Sequence, residues 1–106
     1  MMGNTVQRWS VYLIRDNRNA LYCGVTNNVK RRFNQHQTGK GAKALRGKGP
    51  LVLEWSLDFD SKMLAMRAEY YIKQLTKAKK ELLVISEARI VVDEHQQMML
   101  EIVSPR

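Results

Sequence analysis

The sequence predicts a small α/β domain of the α+β kind, in which a mostly antiparallel three-stranded sheet is flanked by helices. Three observations predict it. Two short runs rich in branched and aromatic residues, Trp9 to Arg15 and Ala20 to Thr26, flank the turn-forming stretch Asp16-Asn17-Arg18-Asn19, which is the pattern of a β-hairpin. A third such run, Leu51 to Phe59, follows a glycine-rich basic stretch. Between and after the strands, apolar residues recur at helical spacing behind Asn, Ser and Thr.

The elements follow in order. Met1 to Gln7 is a polar lead-in. In the first turn, Asp and Asn side chains satisfy the turn backbone themselves, so the hairpin brings Tyr12 and Tyr22 into one small sheet. Asn27 or Asn28 caps a helix that runs to about Thr38, with Gly39 just past its end. Val29 and Phe33 are four apart and would pack on the sheet. Arg32 and His36, about 60° round the helix, are expected at the edge of the buried face. Set squarely on it they would be buried at high cost. Lys40 to Pro50, with three glycines, four cations and no acid, reads as a mobile loop. After the third strand, Asp60 or Ser61 caps a helix over about Lys62 to Leu75, whose stripe is Leu64, Ala68, Tyr71, Ile72 and Leu75. Glu69 falls at the edge of that stripe. Thr76 caps a third helix, about Lys77 to Ser86. From Glu87 on the pattern weakens, and Met98 to Val103 is a strand, a helix or a contact with a second copy.

The 106 residues fit one domain spanning 1–106, with its core over about 9–83 and a tail over 87–106. No apolar stretch approaches the roughly 20 residues that cross a bilayer, and the start carries no secretory pattern. A single cysteine excludes an internal disulfide framework and a zinc cluster. The expected compartment is a reducing cytoplasm, with no membrane partner. Oligomeric state is left open.

Charge is divided unevenly. Residues 1–80 carry 16 Lys and Arg against five acids, whereas residues 81–106 carry two against five. Such a basic body attracts polyanions, nucleic acid first among them. Lys40, Lys43, Arg46 and Lys48 in the loop, with Lys73, Lys77 and Lys80 after the carboxylate helix, are candidate phosphate contacts. They would track a backbone without reading sequence.

The candidate chemistry lies in Tyr12, Tyr22, Arg32, His36 and Glu69, all expected to reach one sheet face. Phosphodiester hydrolysis needs an attacking water, a group that activates it, and cations for the charge that builds on the phosphate. Glu69 alone could hold Mg²⁺ or Mn²⁺, since such an ion keeps several waters and takes only one or two protein carboxylates. Arg32 would clamp phosphate with its planar fork. A tyrosine would orient or deprotonate the water, Tyr22 ahead of Tyr12, and His36 would assist proton transfer or bind phosphate. The ordinary readings are packing tyrosines, a solvated Lys30-Arg31-Arg32 run and a plain helix ion pair from Glu69 to Lys73. Cys23 reads as a small core residue.

Ser10-Val11-Tyr12, then Tyr22-Cys23-Gly24, then Arg32, His36 and Glu69, resembles the GIY-YIG nuclease superfamily, in particular its small single-domain bacterial YhbQ-type members. The two triplets stand in place of the family's two, and the likeness covers roughly Trp9 to Leu83. Thr26 and Asn28 match the polar positions after the second triplet, and Gly39 to Arg46 looks like that subgroup's basic loop. The resemblance implies an active site at the five residues, a divalent metal on Glu69, and an endonuclease acting on nucleic acid, DNA ahead of RNA. The rival reading is a nucleic-acid-binding module on the same fold without catalysis.

Overall fold

The computed structural model describes residues 8–103; the lead-in expected at Met1 to Gln7 lies outside them. The elements are β1 (Trp9–Arg15), β2 (Leu21–Thr26), α1 (Val29–Gln37), a 3₁₀ turn at Lys43–Leu45, β3 (Val52–Phe59), α2 (Lys62–Lys73), α3 (Lys77–Val84), β4 (Ala88–Val92) and β5 (Met98–Ile102). β2, β1 and β3 form an antiparallel sheet in that order, so β2 is a free edge.

The β1–β2 turn forms as its residues dictate. Asp16 Oδ1 accepts the backbone N–H groups of Arg18 (2.8 Å) and Ala20 (3.0 Å), and Asn19 takes the left-handed conformation at φ 70°, which Asn tolerates. The register sets Tyr12 opposite Gly24 and Ile14 opposite Tyr22. Alternation then sorts the strands into two faces. Val11, Leu13 and Cys23 pack with Ala65, Ala68, Ile72 and Leu83 of α2 and α3. Tyr12 and Ile14 pack with Leu45, Leu51, Tyr22 and Phe33 on the other face.

Each helix starts on a side-chain cap: Asn28 accepts from Arg31 N–H, Ser61 from Leu64 N–H and Thr76 from Lys79 N–H. α1 ends in a Schellman closure, with Gly39 N–H on His36 O, Lys40 N–H on Gln35 O, and Gly39 at φ 80°. β3 slips register against β1 between Leu13 and Ile14, leaving Glu54 unpaired in the ladder. Its carboxylate meets Arg15 Nε at 2.5 Å, and Arg15 also grips Glu81 of α3 with both terminal nitrogens at 2.7 Å. This bidentate pair ties α3 to the end of β1.

Three expectations are corrected. The Lys40–Pro50 stretch is held down, not mobile: Leu45 is buried in the α1-side cluster, Asn17 N–H bonds Lys48 O at 2.8 Å, and Ala42 N–H bonds His36. The weak pattern after Glu87 is a hairpin of β4 and β5, closed by Asp93 as the first turn is by Asp16. His36 is the buried residue of α1 and not an edge residue. Its two ring nitrogens both find partners, which removes the cost of burying them. No helix among the described residues is long and apolar enough to cross a membrane.

Candidate active site

A cleft of about 310 Å³ is lined by Trp9, Tyr12, Tyr22, Gly24, Val25, Arg32, Lys62, Met66 and Glu69. Trp9 and Val25 belong to the α2 face, while Tyr12, Tyr22 and Gly24 belong to the α1 face. The cleft therefore runs over the free edge of β2. Glu69 comes from the helix on the opposite side and shares the cleft with the tyrosines round that edge, not across one sheet face as expected. Its place follows from α2: Ala65, Ala68 and Ile72 are buried, and Glu69, four residues from Ala65, stands at their border.

Tyr12, Tyr22 and His36 form a triangle of rings with centroids 5.7–6.4 Å apart. Tyr12 is 2% exposed and His36 2% exposed. Tyr12 Oη lies 2.8 Å from His36 Nε2, and Ala42 N–H donates to His36 Nδ1 at 3.1 Å. Two glycines make this packing possible. A Cβ at Gly24 would lie 2.3 Å from Tyr12 Oη, and one at Gly41 would lie 2.1 Å from His36 Nδ1. Neither has a positive φ, so the requirement is space alone.

The electrostatics separate the groups. Burial first, then the Tyr22 phenol, push the Tyr12 hydroxyl up to about 12, against the pull of the nearby Arg32 guanidinium. Burial, then the Arg32 charge, hold His36 below its ordinary value of 6.5. Tyr12 is thus a neutral phenol and His36 a neutral imidazole at pH 7. Burial, and then the neighbouring Glu69 carboxylate, push the Cys23 thiol up to about 12, as suits an inert core residue.

Arg32 donates to Gln35 Oε1 at 3.0 Å, one turn from His36. Glu69 accepts an ion pair from Lys73 at 3.3 Å, so the ordinary helix pair and the cleft position both hold. Among the described residues no three His, Cys, Asp or Glu side chains gather as a metal site. One carboxylate beside open space suits a hard ion that keeps its waters, and does not suit zinc.

The other predicted residues are spread more widely. Thr26 and Asn28 build the β2–α1 turn: Thr26 Oγ1 accepts Asn28 N–H at 3.1 Å, and Asn28 caps α1. Lys40 joins Lys30 and Arg31 around a shallow polar hollow on α1. Lys43, Arg46 and Lys48 stand on the anchored loop beside His36. Lys77 is paired with Glu81 at 3.0 Å. Trp9, Lys62 and Met66 also line the cleft, and the sequence marked none of them. Lys62, 4.9 Å above the Trp9 ring, had a signal in its position just after the Ser61 cap. A larger apolar groove lined by Met63, Met66, Tyr70 and Met98 lies between α2 and the hairpin. Its lining holds no carboxylate, histidine or cysteine.

Residues 8–82 match the GIY-YIG catalytic domain family. A UPF0213 protein of Vibrio parahaemolyticus is 71% identical, over 95% of this chain and 95% of its own. The UPF0213 protein YhbQ of Escherichia coli is 58% identical over 76% of this chain and 80% of its own. Among solved structures, the UPF0213 protein of Bacillus halodurans covers 76% of this chain and 85% of its own, with 42% identity and a TM-score of 0.50. A protein of E. faecalis covers 80% and 90%, with 28% identity and a TM-score of 0.54.

Proposed function

The chain belongs to the GIY-YIG catalytic domain family, and from that premise we propose that it is a divalent-metal-dependent endonuclease that hydrolyses phosphodiester bonds in DNA. The observation that carries the reading is the cleft itself. Two phenols, a guanidinium and one carboxylate, drawn from a hairpin and two helices, converge on one space over an open sheet edge.

The roles follow from the surroundings of each group. Glu69 would hold Mg²⁺ or Mn²⁺, exchanging its Lys73 partner for the harder cation; the ion supplies charge neutralisation and acidifies water when bound. Arg32 clamps the phosphate. Tyr22, partly exposed in the cleft, activates the water. Tyr12, buried and held protonated, orients water or phosphate as a hydrogen-bond donor. Lys40, Lys43, Arg46, Lys48 and Lys80, with Lys73 once it leaves Glu69, track the flanking phosphates without selecting sequence. Lys77 contributes less, because Glu81 already neutralises it.

One observation favours the second reading, a binding module without catalysis: the Glu69–Lys73 ion pair neutralises the cleft's carboxylate. The two readings part in one experiment. Purified protein is incubated with single-stranded, duplex and branched DNA, with Mg²⁺, Mn²⁺ or chelator. Metal-dependent cleavage supports the nuclease. Salt-dependent binding with no cleavage of any substrate supports the module.

A further inference from the structure

We infer that Gly41 and Ala42 are positioning residues: through His36 they fix which way the Tyr12 hydroxyl points, and His36 serves as a fixed donor and not as a proton carrier. The inference deepens the nuclease reading and rests on it for its functional consequence alone.

A backbone N–H can only donate. Ala42 N–H lies 3.1 Å from His36 Nδ1, so Nδ1 is the bare nitrogen of the neutral ring and Nε2 carries the proton. Nε2 is 2.8 Å from Tyr12 Oη, so in that bond the histidine donates and the tyrosine accepts. Both His36 nitrogens are then occupied, in a side chain 2% exposed. The ring has no lone pair left to take a proton from Tyr12 or from water. The Tyr12 proton is in turn barred from the His36 side. It must point elsewhere around Oη, and the cleft that Tyr12 and Gly24 both line is the space left to it; a Cβ on Gly24, 2.3 Å from Oη, would close that space. Gly41 is what lets the loop come this close, since its own Cβ would fall 2.1 Å from Nδ1 and 2.9 Å from His36 Cα. The same loop carries Lys43 and Arg46, so the segment expected to meet phosphate also sets the hydrogen-bond polarity of the site.

Two measurements test this. The first needs no substrate. With His95→Asn removing the second of the chain's two histidines, long-range ¹H–¹⁵N spectra of the full-length protein should show Nδ1 as the bare, pyridine-like nitrogen and Nε2 as the protonated one. Gly41→Ala should blur that signature. A protonated Nδ1 in the unmodified loop would overturn the inference and leave the nuclease reading untouched. The second compares His36 variants on DNA with Mg²⁺ or Mn²⁺. The amide of Gln can accept from Ala42 and donate to Tyr12 at once. His36→Gln should therefore recover most of the roughly 100-fold activity that His36→Ala loses. Gln as inactive as Ala, with the fold intact by circular dichroism, would mean that His36 moves protons and would sink the inference. No cleavage by the wild-type chain would sink the nuclease reading alone, since the spectra still judge the tautomer.

Discussion

Gly24→Ala is the substitution whose cost can be worked most directly from the structure. The new Cβ would stand 2.3 Å from Tyr12 Oη and 2.5 Å from Tyr12 Cζ, so the phenol must retreat by at least about 1 Å to reach ordinary contact. Tyr12 is buried in the α1-side cluster and bonded to His36 at 2.8 Å, so it has no free direction of escape. Overpacking costs about 1–3 kcal/mol. Pulling Oη from Nε2 leaves a buried donor without its partner, at about 1–3 kcal/mol more. A central value near 4 kcal/mol lowers Tm by roughly 16–32 °C in a domain of this size. A displacement of about 1 Å in a catalytic group also predicts about a 10²-fold loss of cleavage. The assay is a double-mutant cycle in urea. Tyr12→Leu keeps the site apolar but removes the hydroxyl and the far ring carbon that clash. Added to Tyr12→Leu, Gly24→Ala should cost under about 0.5 kcal/mol, or even stabilise, because Gly weakens a strand relative to Ala. An equal cost in both backgrounds would mean that the clash partner is not Tyr12.

The other predictions concern chemistry, charge and pH. Tyr22→Phe should lower cleavage by about 10²-fold with Tm almost unchanged, whereas Tyr12→Phe should also cost about 1–3 kcal/mol of stability because it strips His36 of its acceptor; kinetics and melts of the pair separate activation from positioning. Replacing Lys43, Arg46 and Lys80 by Ala should flatten the salt dependence of duplex binding by roughly one unit of slope per lost contact, while Lys77→Ala, already paired with Glu81, should change it less; equal slopes throughout would make these charges mere solubilisers. Acid should destabilise the fold in two windows. The unfolded chain protonates His36 near 6.5 while the folded one resists, so unfolding takes up a proton there and stability is complete above that value and declines as pH falls below it. Glu81 is held down to about 2 by Arg15 first and Lys77 second, so its contribution is present above the ordinary 4.5 and is lost as pH falls towards about 2. Urea melts across pH check both, and His36→Gln should abolish the upper window only.

The parts legible in the sequence are those fixed by local chemistry. Asp16 closes the first turn with its own carboxylate and Asn19 takes its left-handed position, Asn28 and Ser61 are each one of two neighbouring cap candidates, Thr76 caps the third helix, and the branched and aromatic runs on either side of the turn give the hairpin. Glu69 at the border of a buried stripe follows from the period of α2. What could not be read depends on partners distant along the chain. His36 could be placed in the core only by knowing that Ala42 and Tyr12 would satisfy its ring. Leu45 anchors a stretch whose glycines and lysines read as loose. The second hairpin repeats the Asp-led turn at Asp93, but Gln96 takes the left-handed position at φ 62°, where Gln gives no turn signal. Tyr12, Tyr22, Arg32 and Glu69 were legible as candidates, whereas Trp9, Lys62 and Met66 beside them were not, and His36 lies outside the lining they share; the edge of β2, over which that cleft runs, exists only once the strand order is known.

In the proposed nuclease, Glu69 is the one carboxylate that would hold the metal. Glu69→Gln keeps the side chain's shape and removes its charge, and it releases Lys73 from the pair at 3.3 Å. The decisive measurement is the initial rate of DNA cleavage by wild type and Glu69→Gln across Mg²⁺ and Mn²⁺ concentrations, with duplex affinity measured on the same preparations in chelator. The rate should fall at least about tenfold, with affinity unchanged or improved because a negative charge leaves the phosphate site. Cleavage that stays metal-dependent and undiminished in Glu69→Gln would contradict it.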